Sequence, residues 1–530
     1  MSSPQIQKNW LFVLLIPIPF LFYWYTCLPS IGLSDSGMYL SAIKRLKISP
    51  YVNCHNLTTL WGWPFQLLPF GDFAYRGNLS CVFAGGLAIC TFFLTIYRLH
   101  QCLVTALICS SFLMVSHSIW WHCTTLTDYA MNTFLTTLAI YLFVQLHQTK
   151  HIKYLYTLFF LSGLVLFQHY LMGSLLIGSI AALLYKLFKH KESPWPLVWK
   201  SFVLFLIGLI PWLVSFWHYV NVKHSLSLAI SGCMGGPFKK LYFKYPFWNG
   251  INDFFFLVCI QFPSIFIVPI ALGLFFFLKK WKFSESSVGL IFTFLPVFYF
   301  ELFTSTWAKF AQLISVFIIL VFWASFAVYW MIHHSWIKKS LLSRCFLIIA
   351  VIFSLGWTIY FYAHLTQWAE NPKSFWYRQY NSKYYENSPN IKNFLANPNK
   401  RNYHDIENFC NLVLTKLPAH SQFWDSDSRF YYQFKSYYQR HYHQRPDVDF
   451  QLFFSLGYPG FGADKNTFFQ NIKHAYLNNE NLFLCSTGHP MASLLSQIPD
   501  SQNYKFEKFP LNDKWWVYKL KTIQEENLVK

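Results

Sequence analysis

Charged side chains are scarce in this sequence: Asp, Glu, Lys and Arg make up 12% of 530 residues, where a soluble domain carries roughly 25%. Acids are the rarer sign, with 22 Asp and Glu against 42 Lys and Arg. The twelve cysteines form no paired C-x-x-C arrangement, and Cys90, Cys102, Cys109 and Cys259 sit inside apolar runs, which excludes a zinc or disulfide framework. No small-residue cleavage signal follows the first apolar stretch, Trp10 to Leu28, so that stretch reads as a retained anchor. No internal repeat joins two halves of the chain, which counts against a transporter built from duplicated bundles.

What is present is apolar: 54% hydrophobic residues and 21% aromatics. A bilayer span needs about 20 mainly apolar residues. The chain offers eleven such stretches: Trp10–Leu28, Leu79–Leu99, Cys102–Trp120, Ala130–Leu146, Tyr154–Phe167, Leu171–Leu187, Ser201–Val220, Phe254–Leu278, Val288–Phe303, Phe310–Ile332 and Cys345–Leu365. Tyr154–Phe167 is short and reads as one leg of a broken helix. The expected fold is mainly α, a polytopic membrane protein of about eleven spans, with a small C-terminal α/β domain.

The formal charge of +20 suits membrane topology better than nucleic acid, because Lys and Arg collect in cytoplasmic loops. Lys8, Arg98, Lys150, Lys153, Lys186, Lys189, Lys191, Lys200, Lys279, Lys280, Lys282, Lys338, Lys339 and Arg344 fall in alternate loops and mark one face. The turns before Tyr129 and around His169 hold none, and the turn near Thr304 has only Lys309. This places the N-terminus in the cytoplasm. The loops 30–78 and 221–253 and everything after about Thr366 then lie outside, in a periplasmic or lumenal space. The second loop departs from the rule, with Lys223, Lys239, Lys240 and Lys244, and a basic external loop suits an anionic ligand.

The domain reading is a membrane domain over 1–365, a linker over 366–404 rich in Tyr, Asn and Pro, and a soluble domain over 405–530. Within the last, helical spacing covers Ile406–Leu417, strands are expected at Ser421–Trp424 and Val448–Phe454, and a helix runs through Tyr431 and Tyr438. The aromatic stretch Phe430–His443 reads as the inner face of that helix rather than a base-stacking surface. Asp425 and Asp427 read as a turn pair before a metal pair.

Asp35, in the run Ser34-Asp35-Ser36-Gly37, stands where the chain leaves the first span. A carboxylate there is able to take a proton from an acceptor hydroxyl, while cations such as Lys44, Arg45, Lys47, Arg76 or the second loop stabilise a leaving phosphate. The alternative is a helix N-cap for Met38–Leu46. Asp128 has the same two readings ahead of Tyr129, and His169 lies between two spans as a cavity residue or a buried structural imidazole.

Asp35-Ser36-Gly37, Leu68-Pro69-Phe70-Gly71 and Arg76-x-Asn78-Leu79 together resemble the protein O-mannosyltransferase-like membrane glycosyltransferases, the unknown-function domain 2723 group related to transmembrane protein 260. Trp120 through Tyr129, Met131 and Asn132, then Gly163-Leu164 with His169, then Leu417-Pro418, Tyr437-Tyr438-Gln439 and Arg445-Pro446-Asp447-Val448 follow in the family's order. Met38 stands where the family reads Glu, and Ser49-Pro50-Tyr51 with a displaced His55 replaces its His-Pro-Pro-Gly-Tyr-Pro.

The resemblance implies a GT-C-type fold and a hexosyltransferase that takes a sugar from a polyisoprenyl phosphate to an acceptor hydroxyl on a protein or glycan. It implies Asp35 as the catalytic residue, a base or an acceptor-orienting acid, with Ser36, Arg76, Asp128, Tyr129, His169, Lys239 and Lys240 binding substrate. The lipid-linked sugar and membrane lipids are the expected partners. It leaves open a need for a divalent metal, a transporter or flippase of lipid-linked substrates, and a family member whose catalysis has lapsed.

Overall fold

The computed structural model describes residues 15–33, 35–46, 55–190, 194–233, 242–281, 284–304, 309–334, 341–371, 373, 394–425, 430–452, 465–485, 504–513 and 515–521. It divides into two compact units. The first comprises 1–27, 48–61 and 78–364, and the second comprises 28–47, 62–77 and 365–530.

The first unit is helical. In chain order it contains α1 (Pro17–Tyr25), most of α3 (Asn56–Gly62), most of α4 (Phe73–His100), α5 (Leu103–Val115), α6 (His117–Cys123), α7 (Tyr129–Thr149), α8 (Lys153–Leu164) and α9 (Ser174–His190). There follow α10 (Pro194–Lys223), α11 (Leu226–Cys233), α12 (Phe247–Gln261), α13 (Ile267–Lys280), α14 (Glu285–Phe303), α15 (Lys309–Gln312), α16 (Ile314–His333) and most of α17 (Leu341–Glu370). The second unit begins its helices with α2 (Ser36–Arg45).

Among the described residues seven helical segments are long and apolar enough to cross a bilayer: Phe73–His100, Tyr129–Thr149, Tyr170–Lys189, Trp195–Val222, Glu285–Phe303, Ile314–His333 and Cys345–Trp368. This is an integral multi-pass membrane protein. The remaining expected spans differ in instructive ways. Cys102–Trp120 is two helices, α5 and α6, bent by 68° at Ser116. The break is stabilised from elsewhere in the unit: the N–H of His117 donates to the Tyr362 hydroxyl and that of Ser118 to Gln261 Oε1. These are the orphan donors of a new helix start, and in an apolar setting they need partners. Phe254–Leu278 is also two helices, α12 and α13, interrupted at Phe262-Pro263, where proline supplies no N–H. The Tyr154–Phe167 stretch remains a short apolar helix, and Trp10–Leu28 is described only from residue 15 onward.

Close packing relies on small residues. A Cβ at Gly163 of α8 would lie 2.3 Å from the Phe205 carbonyl oxygen, and one at Gly208 of α10 would lie 2.0 Å from that of Phe160. The two backbones therefore touch at these glycines, as in other tight helix pairs within membranes.

The second unit holds a five-stranded sheet: β1 (Gln422–Asp425), β2 (Asp449–Leu452), β3 (Leu482–Cys485), β4 (Phe506–Pro510) and β5 (Trp516–Leu520) in the order β2-β1-β3-β5-β4. β1, β2 and β3 run parallel, with Phe423 opposite Phe450 and Phe483. β5 joins β3 antiparallel, as does β4 to β5. Helix α18 (Asp405–Lys416), a π-helical turn (Gln433–Gln439) and α19 (Lys465–Leu477) accompany the strands. Trp424, Leu482, Leu484 and Leu520 of the sheet pack with Phe468 and Ile472 of α19 in a buried core. The expected α18 and the first two strands are found where the apolar spacing placed them.

Candidate functional site

Three elements of the first unit end at one polar cluster. His55 immediately precedes α3, Asp128 occupies the N-cap position of α7, and Gln168 and His169 follow the short helix that continues α8. Asp128 is buried and makes no side-chain capping bond. Its Oδ2 lies 3.3 Å from His55 Nδ1, 4.0 Å from His169 Nε2 and 3.5 Å from Asn132 Nδ2. The two imidazoles stack at 4.9 Å. Gln168 binds the cluster together: its side-chain amide donates to the Asp128 carbonyl and to the Thr58 hydroxyl, and its Oε1 accepts the Thr58 N–H. Burial, with the His55 ring beside it, holds the His169 pKa well below the usual imidazole range.

Tyr129 packs between His169, at 5.7 Å, and His122, at 4.8 Å. Tyr170, next in the chain, receives the hydroxyl of Tyr242 at 3.3 Å. Nearby in the same unit Lys309 pairs with Asp253 at 3.4 Å, and Tyr245 donates to the same carboxylate at 2.7 Å. Asp253, Lys309 and Glu301 are all buried. Neither carboxylate oxygen of Glu301 has a hydrogen-bond partner among the described residues.

The ligand atoms of His55, Asp128 and His169 all lie within 4.8 Å of one another, a spacing suited to one metal ion. Their hydrogen bonds argue for a different arrangement. His55 Nδ1 is 2.6 Å from the Gln168 carbonyl oxygen, which only accepts, so Nδ1 carries the proton. His169 Nδ1 accepts the N–H of Leu171 at 3.1 Å, so its proton sits on Nε2, toward Asp128. A metal-bound imidazole presents a bare nitrogen to the ion and donates from the other. In this arrangement His55 Nδ1 donates to the Gln168 carbonyl and lies 3.3 Å from Asp128 Oδ2, while His169 Nε2 faces the same oxygen at 4.0 Å, beyond hydrogen-bond reach.

An apolar groove of about 480 Å³ lies along the same three elements. Leu57, Leu60 and Trp61 of α3, Met131, Leu135, Leu138 and Leu142 of α7, and Phe160, Leu161 and Leu164 of α8 line it. His55 precedes α3, Asp128 precedes α7 and Gln168 follows α8, so the polar groups stand at the ends of the three elements whose sides line the groove.

Asp35 and Arg76 belong to the second unit. Asp35 is exposed at the N-cap position of α2 and makes no capping bond with its side chain. Ser36 is buried, and its hydroxyl has no partner among the described residues. Gly37 brings α2 against the π-helical turn: a Cβ there would meet the Tyr432 carbonyl oxygen at 2.6 Å. Gln433 of the same turn donates to the Gly32 carbonyl at 2.7 Å. Arg76 directs three N–H groups at backbone carbonyls, those of Gln66, Leu68 and Asp72, and so fastens the Leu68-Pro69-Phe70-Gly71 turn. Lys239, Lys240 and Asp427 lie outside the described residues. Asp425 is buried and accepts the N–H groups of Phe430 and Tyr431, a turn role.

The sequence pointed to Asp128, Tyr129 and His169 but not to their partners His55 and Gln168, nor to the Asp253–Lys309 pair and Glu301. His55 falls in the motif that departs most from the family pattern, and no spacing along the chain links it to Asp128.

Residues 35–194 match the family model described as the protein O-mannosyl-transferase TMEM260 N-terminal domain. No curated protein matches the chain. Among solved structures the chain is similar to ArnT from Cupriavidus metallidurans bound to undecaprenyl phosphate, with a TM-score of 0.55 and 11% identity over 97% of this chain and 98% of that one. It also aligns with ArnT from the same organism in the apo state, with a TM-score of 0.45 and 11% identity over 98% of both chains. The first likeness shows the fold, which is of the GT-C type with a small sheet domain at the C-terminus.

Proposed function

We propose that this chain, with a GT-C-type fold and a TMEM260-like segment at 35–194, is a membrane glycosyltransferase that moves a sugar from a polyisoprenyl phosphate to an acceptor hydroxyl on the external face. One observation carries the reading: an apolar trough lined by three elements whose ends also bring together a buried carboxylate, two imidazoles and an amide. A polyisoprenyl chain is a long, unbranched-backbone hydrocarbon with one anionic end, and the trough offers matching chemistry along its length and at its head. The family match and the ArnT likeness support the same class of donor.

In this reading Asp35 is the general base. It removes the acceptor hydroxyl proton as the bond from the acceptor oxygen to the sugar C1 forms and the bond from C1 to the phosphate oxygen breaks, leaving the lipid phosphate with the electron pair. A positioned base contributes roughly 10²- to 10⁴-fold. Mannose and protein hydroxyls are the first sugar and acceptor to try, from the family description. Asp35→Asn, assayed in membranes with polyisoprenyl-phosphate mannose at matched protein abundance, is expected to lose transfer by a factor in that range. Unchanged turnover would sink the assignment.

A further inference from the structure

Resting on the donor reading above, we infer that Glu301 binds a hydroxyl of the donor's sugar and so selects which sugar the protein accepts. Glu301 lies near the end of α14, is 2% exposed, and has no hydrogen-bond partner for either carboxyl oxygen among the described residues. A buried carboxyl left in that condition costs stability, whether ionised or protonated. Such a cost is kept where a function needs the group. A hydroxyl both donates and accepts, so a polyol satisfies this carboxyl in either protonation state, whereas a phosphate suits only the protonated one.

The surroundings fit a sugar. Tyr170 and Tyr242 lie within electrostatic range of Glu301, and their rings stand 6.5 and 4.8 Å from that of Phe300, its neighbour in the chain. Both tyrosines are half-buried. Their hydroxyls are 3.3 Å apart, longer than an ordinary O–H···O bond, so a ligand hydroxyl replaces that contact at small cost. Aromatic walls around a few convergent polar atoms are what small-molecule sites use. Tyr170 also stacks on His169 at 4.8 Å and has Asp128 within electrostatic range, which joins Glu301 to the polar cluster. Lys309, likewise within range of Glu301, pairs with Asp253 at 3.4 Å and lies over the Tyr245 ring at 3.9 Å. One turn before Glu301 on α14, Val297 lines a cavity of about 20 Å³, room for a water and not for a sugar, so the sugar approaches from the side of the tyrosines.

The test uses the full-length protein in nanodiscs and three probes: undecaprenyl phosphate, undecaprenyl-phosphate mannose and undecaprenyl-phosphate glucose. Wild type is expected to bind one of the two sugar-bearing lipids about tenfold or more tightly than the bare lipid phosphate, the margin a buried hydrogen bond to a carboxyl supplies. Glu301→Met has a similar volume and no hydrogen-bonding group of that strength, so it should lose the margin and keep wild-type affinity for undecaprenyl phosphate. Glu301→Gln keeps two bonding atoms and should retain part of the margin; equal loss in both variants would assign the effect to charge and overturn hydroxyl binding. If wild type prefers a sugar-bearing lipid and Glu301→Met does too, or if wild type binds all three probes equally, the Glu301 assignment fails while the donor reading stands. If wild type binds none of them, the donor reading fails and this inference with it. A carboxyl that waits for a ligand stabilises nothing in the free protein, so Glu301→Met should melt at or above the wild-type temperature. Its failure to fold would give Glu301 a structural role instead.

Discussion

Gly37 shows how a residue in a functional motif also carries a packing duty. Any side chain there would press on the backbone of Tyr432 and Gln433, with the nearest atom at 2.6 Å, and backbone cannot swing aside as a flexible side chain does. Gly37→Ala is expected to destabilise the second unit by about 1–3 kcal/mol, as overpacking typically does. Thermal unfolding of the purified chain would show it, and a melting temperature equal to wild type would refute the close contact. Asp35, two residues earlier, is exposed and free of that constraint. Asp35→Asn should therefore leave stability unchanged while it removes transfer.

Arg445 illustrates the same division. Its guanidinium donates to the carbonyls of Leu417 and Pro418 at 3.0 and 2.9 Å and forms a pair with Asp447 at 2.8 Å. The Arg445-Pro446-Asp447-Val448 motif is thus a clamp between the end of α18 and the start of β2. The Arg445 guanidinium beside Asp447 holds its carboxyl at about 2. A carboxyl depressed in the folded state adds stability above its unfolded value, about 3.9. That contribution disappears as pH falls through about 2. Arg445→Gln should erase the corresponding loss in thermal stability between about pH 4 and 2, and an unaltered pH profile would show that the pair adds nothing. The magnitude is small because Asp447 is solvated.

At the scale of elements, α7 serves two purposes. Its first residues order Asp128 and Tyr129, and its Met131, Leu135, Leu138 and Leu142 make one wall of the trough. From Met131 to Leu142 the helix advances about 16 Å at 1.5 Å per residue, room for several isoprene units end to end. Leu138→Trp should fill the trough and weaken binding of undecaprenyl phosphate by about tenfold or more, as overfilled apolar sites do. Full affinity for the lipid would place its tail elsewhere. The breaks at Ser116 and at Phe262-Pro263 belong to this scale too. Each converts an apolar run long enough for one span into two shorter helices, because side chains such as Tyr362 and Gln261 supply partners that a continuous helix would not need.

Across the whole molecule, alternation of basic loops predicts one sidedness for each segment. Single cysteines at Lys244 and Asp513, both exposed, should react with an impermeant maleimide from outside in a background without native cysteines. Cysteines at Lys279 and His151, also exposed, should react only after permeabilisation. Labelling of Lys279→Cys and Asp513→Cys from the same side would overturn the orientation. The contact pattern adds a grouping that the chain order hides: residues 28–47 and 62–77, from the first long loop, cluster with 365–530 rather than with the helices on either side of them.

The apolar runs, the basic loops and the switch to helix and strand spacing after residue 405 are local properties, additive along the chain, so the sequence alone determined a multi-pass membrane protein with an α/β appendage. It also singled out Asp35, Asp128 and His169, because a lone acid or imidazole at the end of an apolar run is visible in one dimension. The tertiary structure alone decided that His55 and Gln168 join Asp128, that Gly37 is a contact point, and that two spans are broken. Those outcomes depend on which side chains from distant helices arrive to satisfy a buried donor or carboxylate, and no period or spacing along the chain encodes that meeting.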